Sequence, residues 1–329
     1  MFTIPGNSSD EKPDNRLDIA TPDPSHGLMT GKPNPTTTQN LERKLGDFTR
    51  ARLPRAVSEF TMFVLKQGWA CLFGISMLGG LIVTDAVWQD HWALARYDAL
   101  LIYAIALQVA FLWFKLETWQ EVRVIALFHL TGTVMELFKV NAGSWAYPEP
   151  ALLKLAGVPL FSGFMYAAVG SYMARVIRIF DMRFAPYPPF WMSIALAVAI
   201  YVNFFAHHYL PDIRVALFAA TILLFIRTRI WFRVGQSAYW LPLPLAALAS
   251  SFFLWLAENV GTNTGTWIYA GQGGINWVSL SKMGSWYLLL YVSFATVTLV
   301  YREALSTRAL TDYRTKPETR PVLPPSGSG

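Results

Sequence analysis

Cysteine is nearly absent from this chain. Cys71 stands alone among 329 residues, inside an apolar run, which excludes a disulfide framework and a cysteine-built metal site. Charge is scarce too: Asp, Glu, Lys and Arg make up 15 %, against about a quarter in an average soluble domain. The shortage is concentrated in Leu155–Ala174, Phe184–Pro211, Val234–Ala257 and Met283–Tyr301, which hold no charged residue of these four types. A soluble protein is excluded on that ground. No Walker loop, nucleophile elbow, dinucleotide fingerprint or basic groove occurs, so neither nucleotide nor nucleic acid is an expected partner. Neither H-x-x-x-H nor H-x-x-E-H spacing is present, and no metal ligand set is assigned. The polar, Pro-rich start lacks the apolar stretch of a cleavable signal peptide.

What the chain has in excess is apolar length. Hydrophobic residues reach 53 %, aromatics 15 %, and mean hydropathy is +0.33. A helix of about 20 apolar residues crosses a hydrocarbon layer of about 30 Å, and several of the uncharged gaps are long enough. The expected fold is all-α, a polytopic transmembrane bundle. Eight spans are expected, near Lys66–Thr84, Asp98–Phe114, Val122–Val140, Leu155–Ala174, Pro189–His207, Ile213–Phe232, Ala238–Ala257 and Gly284–Tyr301. The sixth has only Val215–Ile226 between Arg214 and Arg227, so its ends would extend by snorkelling. Residues 1–45 and 307–329 read as disordered polar tails. With the N-terminus in the cytoplasm, fourteen Lys and Arg flank the inner ends of these spans and five the outer ends. That bias favours both termini inside, which an even number of spans requires.

Two stretches match without a gap at an offset of 122 residues: Glu136-Leu137-Phe138-Lys139-Val140-Asn141-Ala142-Gly143-Ser144-Trp145-Ala146-Tyr147 and Glu258-Asn259-Val260-Gly261-Thr262-Asn263-Thr264-Gly265-Thr266-Trp267-Ile268-Tyr269. Both read E-x4-N-x-G-[ST]-W-x-Y, with five identities in twelve. The offset divides the bundle into two four-helix halves, 46–183 and 184–306. Four passes separate equivalent positions, so the halves share one orientation, as a parallel repeat. Both motifs then fall at the outer membrane surface.

As a purely structural feature, the motif is a reversing loop with Trp and Tyr at headgroup depth, where these rings concentrate for physical reasons. The glutamates ask for more. Glu136 lies 13 residues after Arg123, about 20 Å along a helix and short of full traversal. An ionisable group at that depth is costly and faces a cavity or a partner. Glu136 and Glu258 are therefore candidate catalytic residues, with Asn141, Trp145, Tyr147, Asn263, Trp267 and Tyr269 as candidate substrate contacts. The alternative for Glu136 is an ion pair with Lys139, one turn on. His129, seven residues before Glu136, shares its helix face. With His207, His208 and Asp85 it lies near the same outer surface, although core or interfacial roles suit these histidines better. Gly163, Ala167 and Ser171, like Ser76 and Gly80, repeat every four residues and read as close-packing faces.

The stretch Met135–Glu149 followed by Gly157-Val158-Pro159-Leu160-Phe161 resembles the bacterial membrane proteins grouped as domain-of-unknown-function family 817, over about residues 55–305. The resemblance implies a multi-pass protein of the bacterial inner membrane and brings no activity with it. A fainter similarity, at Glu136, Gly143, Tyr147 and Gly157-Val158-Pro159, is to membrane carotenoid hydratases and lycopene-cyclase-type proteins, which carry an intramembrane glutamate and a Gly-Val-Pro at a helix start.

Three functions fit these residues. The first is an acid–base enzyme acting on a lipidic or isoprenoid substrate between the halves. The second is a proton- or cation-coupled transporter of a small solute. The third is a structural or partner-binding membrane protein. Membrane lipids are the expected partners; the sequence assigns no cofactor and no oligomeric state.

Overall fold

The structure, a computed structural model, describes residues 37–89, 91–206, 209–235, 237–270 and 277–305. The tail expected at 307–329, most of that at 1–45, and His207 and His208 lie outside the described residues. Helix α1 (Thr37–Arg52) takes in the end of the N-terminal tail segment and packs on α2 (Arg55–Ala70). The chain then bends by 65° at Cys71 into α3 (Leu72–Val87).

Seven helices follow: α4 (Arg96–Trp113), α5 (Trp119–Asn141), α6 (Ser162–Ile179), α7 (Phe190–Ala206), α8 (Arg214–Phe225), α9 (Leu243–Asn263) and α10 (Leu280–Val300). The fold is thus mainly helical. Helices α4, α5, α9 and α10 are long and apolar enough to cross a membrane, and the bent pair α2–α3 makes a fifth if it counts as one span. A helix overlaps each of the eight expected segments, but α6 is not among those long and apolar enough to cross, and α7 and α8 are shorter.

Local signals set the helix ends. At the start of α5, Thr118 caps the Glu121 backbone N–H while the Glu121 carboxylate accepts from the Thr118 N–H, a reciprocal capping box. Pro242 and Pro244 open α9, where missing N–H groups cost little. Among the helices, α5 packs on α6 and α9 on α10; α3 meets α4 and α7 meets α8; α3 meets α6 and α7 meets α10. The expected small-residue face of α6 meets α5. A Cβ on Gly163 would stand 2.6 Å from the His129 ring, and one on Gly170 2.7 Å from Phe128.

In three of the expected spans part of the chain is extended instead: Leu155 and Val158–Pro159 in the fourth, Arg229–Phe232 in the sixth and Ala238–Pro242 in the seventh. Lys154–Leu155 (β2) and Val158–Pro159 (β3) form a hairpin whose turn residues, Ala156 and Gly157, both have positive φ (46° and 84°). Arg229–Val234 (β5) lies between Arg183–Ala185 (β4) and Ser237–Pro242 (β6) in an antiparallel sheet. Its Ile230 and Val234 are buried, and the cross-strand pairs Trp231–Trp240 and Phe232–Tyr239 bring ring centroids to 6.5 and 5.9 Å. Helix α8 consequently stops after 12 residues, about 18 Å.

Candidate functional site

The two motifs build the same object. Helices α5 and α9 both end in a Schellman turn. Gly143 (φ 70°) and Gly265 (φ 61°) take the left-handed conformation that glycine adopts without a Cβ penalty. Ser144 N–H donates to the Lys139 carbonyl and Thr266 N–H to the Gly261 carbonyl, closing the final turns. The chain then doubles back as strand β1 (Trp145–Ala146) in one copy and β7 (Ile268–Tyr269) in the other.

In extended backbone, residues two apart share a face, so the Trp and Tyr of each motif both point back at the glutamate. Trp145 Nε1 donates to Glu136 Oε2 at 2.8 Å and the Tyr147 hydroxyl to the same oxygen at 2.9 Å. Trp267 Nε1 and the Tyr269 hydroxyl donate to Glu258 Oε1 at 2.8 and 2.5 Å. The motif is a hook latched onto its own helix.

The hooks also latch onto each other. Strand β1 pairs antiparallel with β7, Trp145 opposite Tyr269 and Ala146 opposite Ile268, and the Trp145 and Tyr269 rings meet edge to face at 5.9 Å. Each carboxylate takes a third donor from the following helix: the Tyr166 hydroxyl (α6) reaches Glu136 Oε1 at 2.5 Å, and Trp286 Nε1 (α10) reaches Glu258 Oε2 at 3.0 Å. Glu136 is 3 % exposed and Glu258 6 %, so these three donors stand in for water at each group. Burial, with the charges of Glu136 and Glu258, holds the Tyr147 and Tyr269 phenols well above the usual tyrosine range, and both remain donors at any physiological pH.

Of the expected site residues, six converge: Glu136, Trp145, Tyr147, Glu258, Trp267 and Tyr269. Asn141 and Asn263 do not. Each occupies the last helical position before the turn, where its side chain is exposed. Lys139 does not pair with Glu136; its Nζ donates to the Phe204 carbonyl at 2.6 Å and lies 4.0 Å from the centre of that ring. The His129 ring packs tilted against Phe164, centroids 4.6 Å apart, and Asp85 is exposed. Among the described residues no three of His, Cys, Asp and Glu gather as metal ligands do. Gly157-Val158-Pro159 forms a turn and return strand ahead of α6, not a helix start.

Tyr166 and Trp286 escape the motif because the offset does not relate them: it carries Tyr166 to Leu288 and Trp286 back to Phe164. Gly132 is the trace Tyr166 leaves: a Cβ there would stand 2.5 Å from its side chain, as one on Gly261 would stand 1.8 Å from the Trp267 ring of the second motif. Tyr166 and Trp286 also line a narrow crevice of about 30 Å³, partly open to the outside, with Phe128, Gly132, Tyr201 and Leu254.

Arg96 fastens the rim. Buried at the start of α4, it forms an ion pair with Glu149 and donates to the carbonyls of Leu81 (3.3 Å) and Thr264 (3.2 Å) and the hydroxyls of Thr84 and Thr266 (both 3.1 Å). One guanidinium thus joins α3, the loop after β1 and the second hook. Lys154 Nζ donates to the carbonyls of Tyr147 (2.9 Å) and Glu149 (2.6 Å), and burial pulls its ammonium below the usual lysine range.

The family described as "Protein of unknown function (DUF817)" matches residues 59–294, a stretch that takes in both hooks, Arg96, Tyr166 and Trp286. The chain belongs to the DUF817 family. This DUF817 protein is 41 % identical over 245 residues to the "Uncharacterized protein YoaT" of Bacillus subtilis (strain 168), covering 74 % of the present chain and 92 % of the relative. No solved structure matches the DUF817 chain.

Proposed function

We propose that this DUF817 protein is a multi-pass inner-membrane enzyme in which Glu136 and Glu258 perform acid–base chemistry on a lipidic or isoprenoid substrate. The reading includes eight spans in two parallel halves, with both termini cytoplasmic and the hooks at the outer surface. Three features support the tandem arrangement. Helices occur in all eight expected segments. The packings α3–α4, α3–α6 and α5–α6 recur as α7–α8, α7–α10 and α9–α10. The β1–β7 register maps onto itself under the 122-residue offset, as a two-fold axis along the membrane normal requires.

The single observation that carries the functional reading is the double membership of Tyr166 and Trp286. Each donates to a glutamate and each walls the same crevice. As it stands the crevice has room for about one water, so an apolar chain enters only as its walls part; there it meets Tyr166, and a proton passes between ligand and Glu136 by way of that phenol. The Trp286 face offers stabilisation to a positive charge on the ligand. Asn141 and Asn263 take no part in this reading.

Glu136→Gln, Glu258→Gln and Tyr166→Phe, made in the native host, are expected to change the extractable lipids or pigments at unchanged protein level. General acid–base contributions of about 10²–10⁴-fold make such a change easy to detect. Profiles identical to wild type in all three variants and in a deletion strain would sink the enzyme reading. Solute uptake that follows the pH gradient and stops in Glu258→Gln would replace it with a coupled transporter.

A further inference from the structure

The opposite end of the bundle holds a second polar cluster that the proposed chemistry does not use. Arg175 lies nine residues beyond Tyr166 in α6, about 14 Å further along the axis. It is completely buried, and among the described residues none of its three guanidinium nitrogens has a hydrogen-bond partner. Its carbon sits 5.2 Å from the centre of the Phe111 ring. The titratable groups that face it are Glu117, Glu121, Arg178 and Cys71.

The neighbouring carboxylates are engaged elsewhere. Glu121 is held by Arg178 Nε and by the Thr118 backbone N–H, both at 2.7 Å. Glu117, 6 % exposed, accepts from the Ser171 hydroxyl at 2.8 Å and from Gln108 Nε2 at 2.5 Å. The Gln108 carbonyl oxygen is buried and has no partner among the described residues.

A bare buried guanidinium is expensive, and the architecture does not require one. The 122-residue offset carries Arg175 to Val297, which is itself completely buried in an apolar core. One half closes this level of the bundle with an aliphatic side chain while the other keeps a cation whose donors point at no protein acceptor. That difference marks a site.

We propose that Arg175 binds a small inorganic anion, chloride in the first instance, and that the anion enters together with a proton taken up by Glu117. Charge balance sets the coupling. Glu117 and Glu121 cancel Arg175 and Arg178; protonating Glu117 leaves one positive charge, which the anion neutralises. The new Glu117 hydroxyl donates to the Gln108 carbonyl once that amide turns over. Burial pushes the Glu117 carboxyl above the usual carboxylate range, against the Ser171 and Gln108 hydrogen bonds and the Arg175 charge, while the Glu121 charge adds to the rise. Tyr301, which faces Glu121 and Arg178, is pushed up to about 12 by burial and stays neutral throughout.

The test is thermal unfolding of the full chain in detergent, with chloride exchanged for gluconate at constant ionic strength and at several pH values. Chloride should raise the midpoint saturably. Its apparent affinity should strengthen by up to about tenfold per pH unit as Glu117 takes its proton. Arg175→Met should abolish the chloride response. Glu117→Gln should keep the response and lose its pH dependence, and this variant decides the matter if Arg175→Met fails to fold. A wild-type midpoint indifferent to chloride overturns the proposal, leaving water to satisfy Arg175. So does an equal response in folded Arg175→Met, which would mean an adventitious ion only, or a pH dependence that survives Glu117→Gln.

Discussion

Arg96→Ala is expected to destabilise the protein by about 3 kcal/mol, read as a loss of unfolding free energy in micelles. Removing one partner of a buried ion pair costs about 3–5 kcal/mol when the other charge is left stranded. Here Glu149 is 31 % exposed and can turn to water, which argues for the lower end. Most of the loss comes from the four further acceptors that Arg96 serves on α3 and on the second hook. Glu149→Gln leaves those contacts in place but strips the buried Arg96 of its counter-charge, so it should cost less, about 1–2 kcal/mol. Equal losses in the two variants would show that the ion pair, and not the bridge to Thr264 and Thr266, holds the rim.

Gly261→Ala should cost a similar amount, about 3 kcal/mol, against the ordinary helix preference. Alanine in place of a helical glycine normally gains about 0.5–1 kcal/mol. At Gly261 the new Cβ would stand 1.8 Å from the Trp267 ring, which must then leave its seat and give up its hydrogen bond to Glu258. Overpacking and an under-satisfied buried carboxylate together outweigh the propensity gain. Gly79→Ala is the control: nothing lies within 4 Å of its Cβ position, and it should be neutral or stabilising. Tryptophan fluorescence should shift to the red in Gly261→Ala alone. A stable Gly261→Ala protein with native fluorescence would mean that Trp267 does not lie across α9.

Uncharged length locates α3 to α10, because a charge inside hydrocarbon is costly wherever it falls, but not α1 or most of α2, which carry charges. It could not separate helix from strand. Val158–Pro159 lies in an uncharged run, and Arg229–Val234 carries two arginines set among apolar residues; positive-φ turns and cross-strand aromatic pairs set them in extended form. In the hooks, the spacing from Glu136 to Trp145 and Tyr147 was legible since it is a local geometry of one turn and one strand. Asn141 shares the motif but not the cluster: Gly143 sets the backbone of the turn, while the asparagine side chain is exposed. Tyr166 and Trp286 were beyond reach, being brought to the carboxylates by packing between helices.

Ala146 and Ile268 face each other where the ladder is its own mirror under the 122-residue shift. Strict two-fold symmetry would give both glutamates identical company. This chain does not: one carboxylate answers to a phenol and the other to an indole, so the two can differ in how readily they hold a proton.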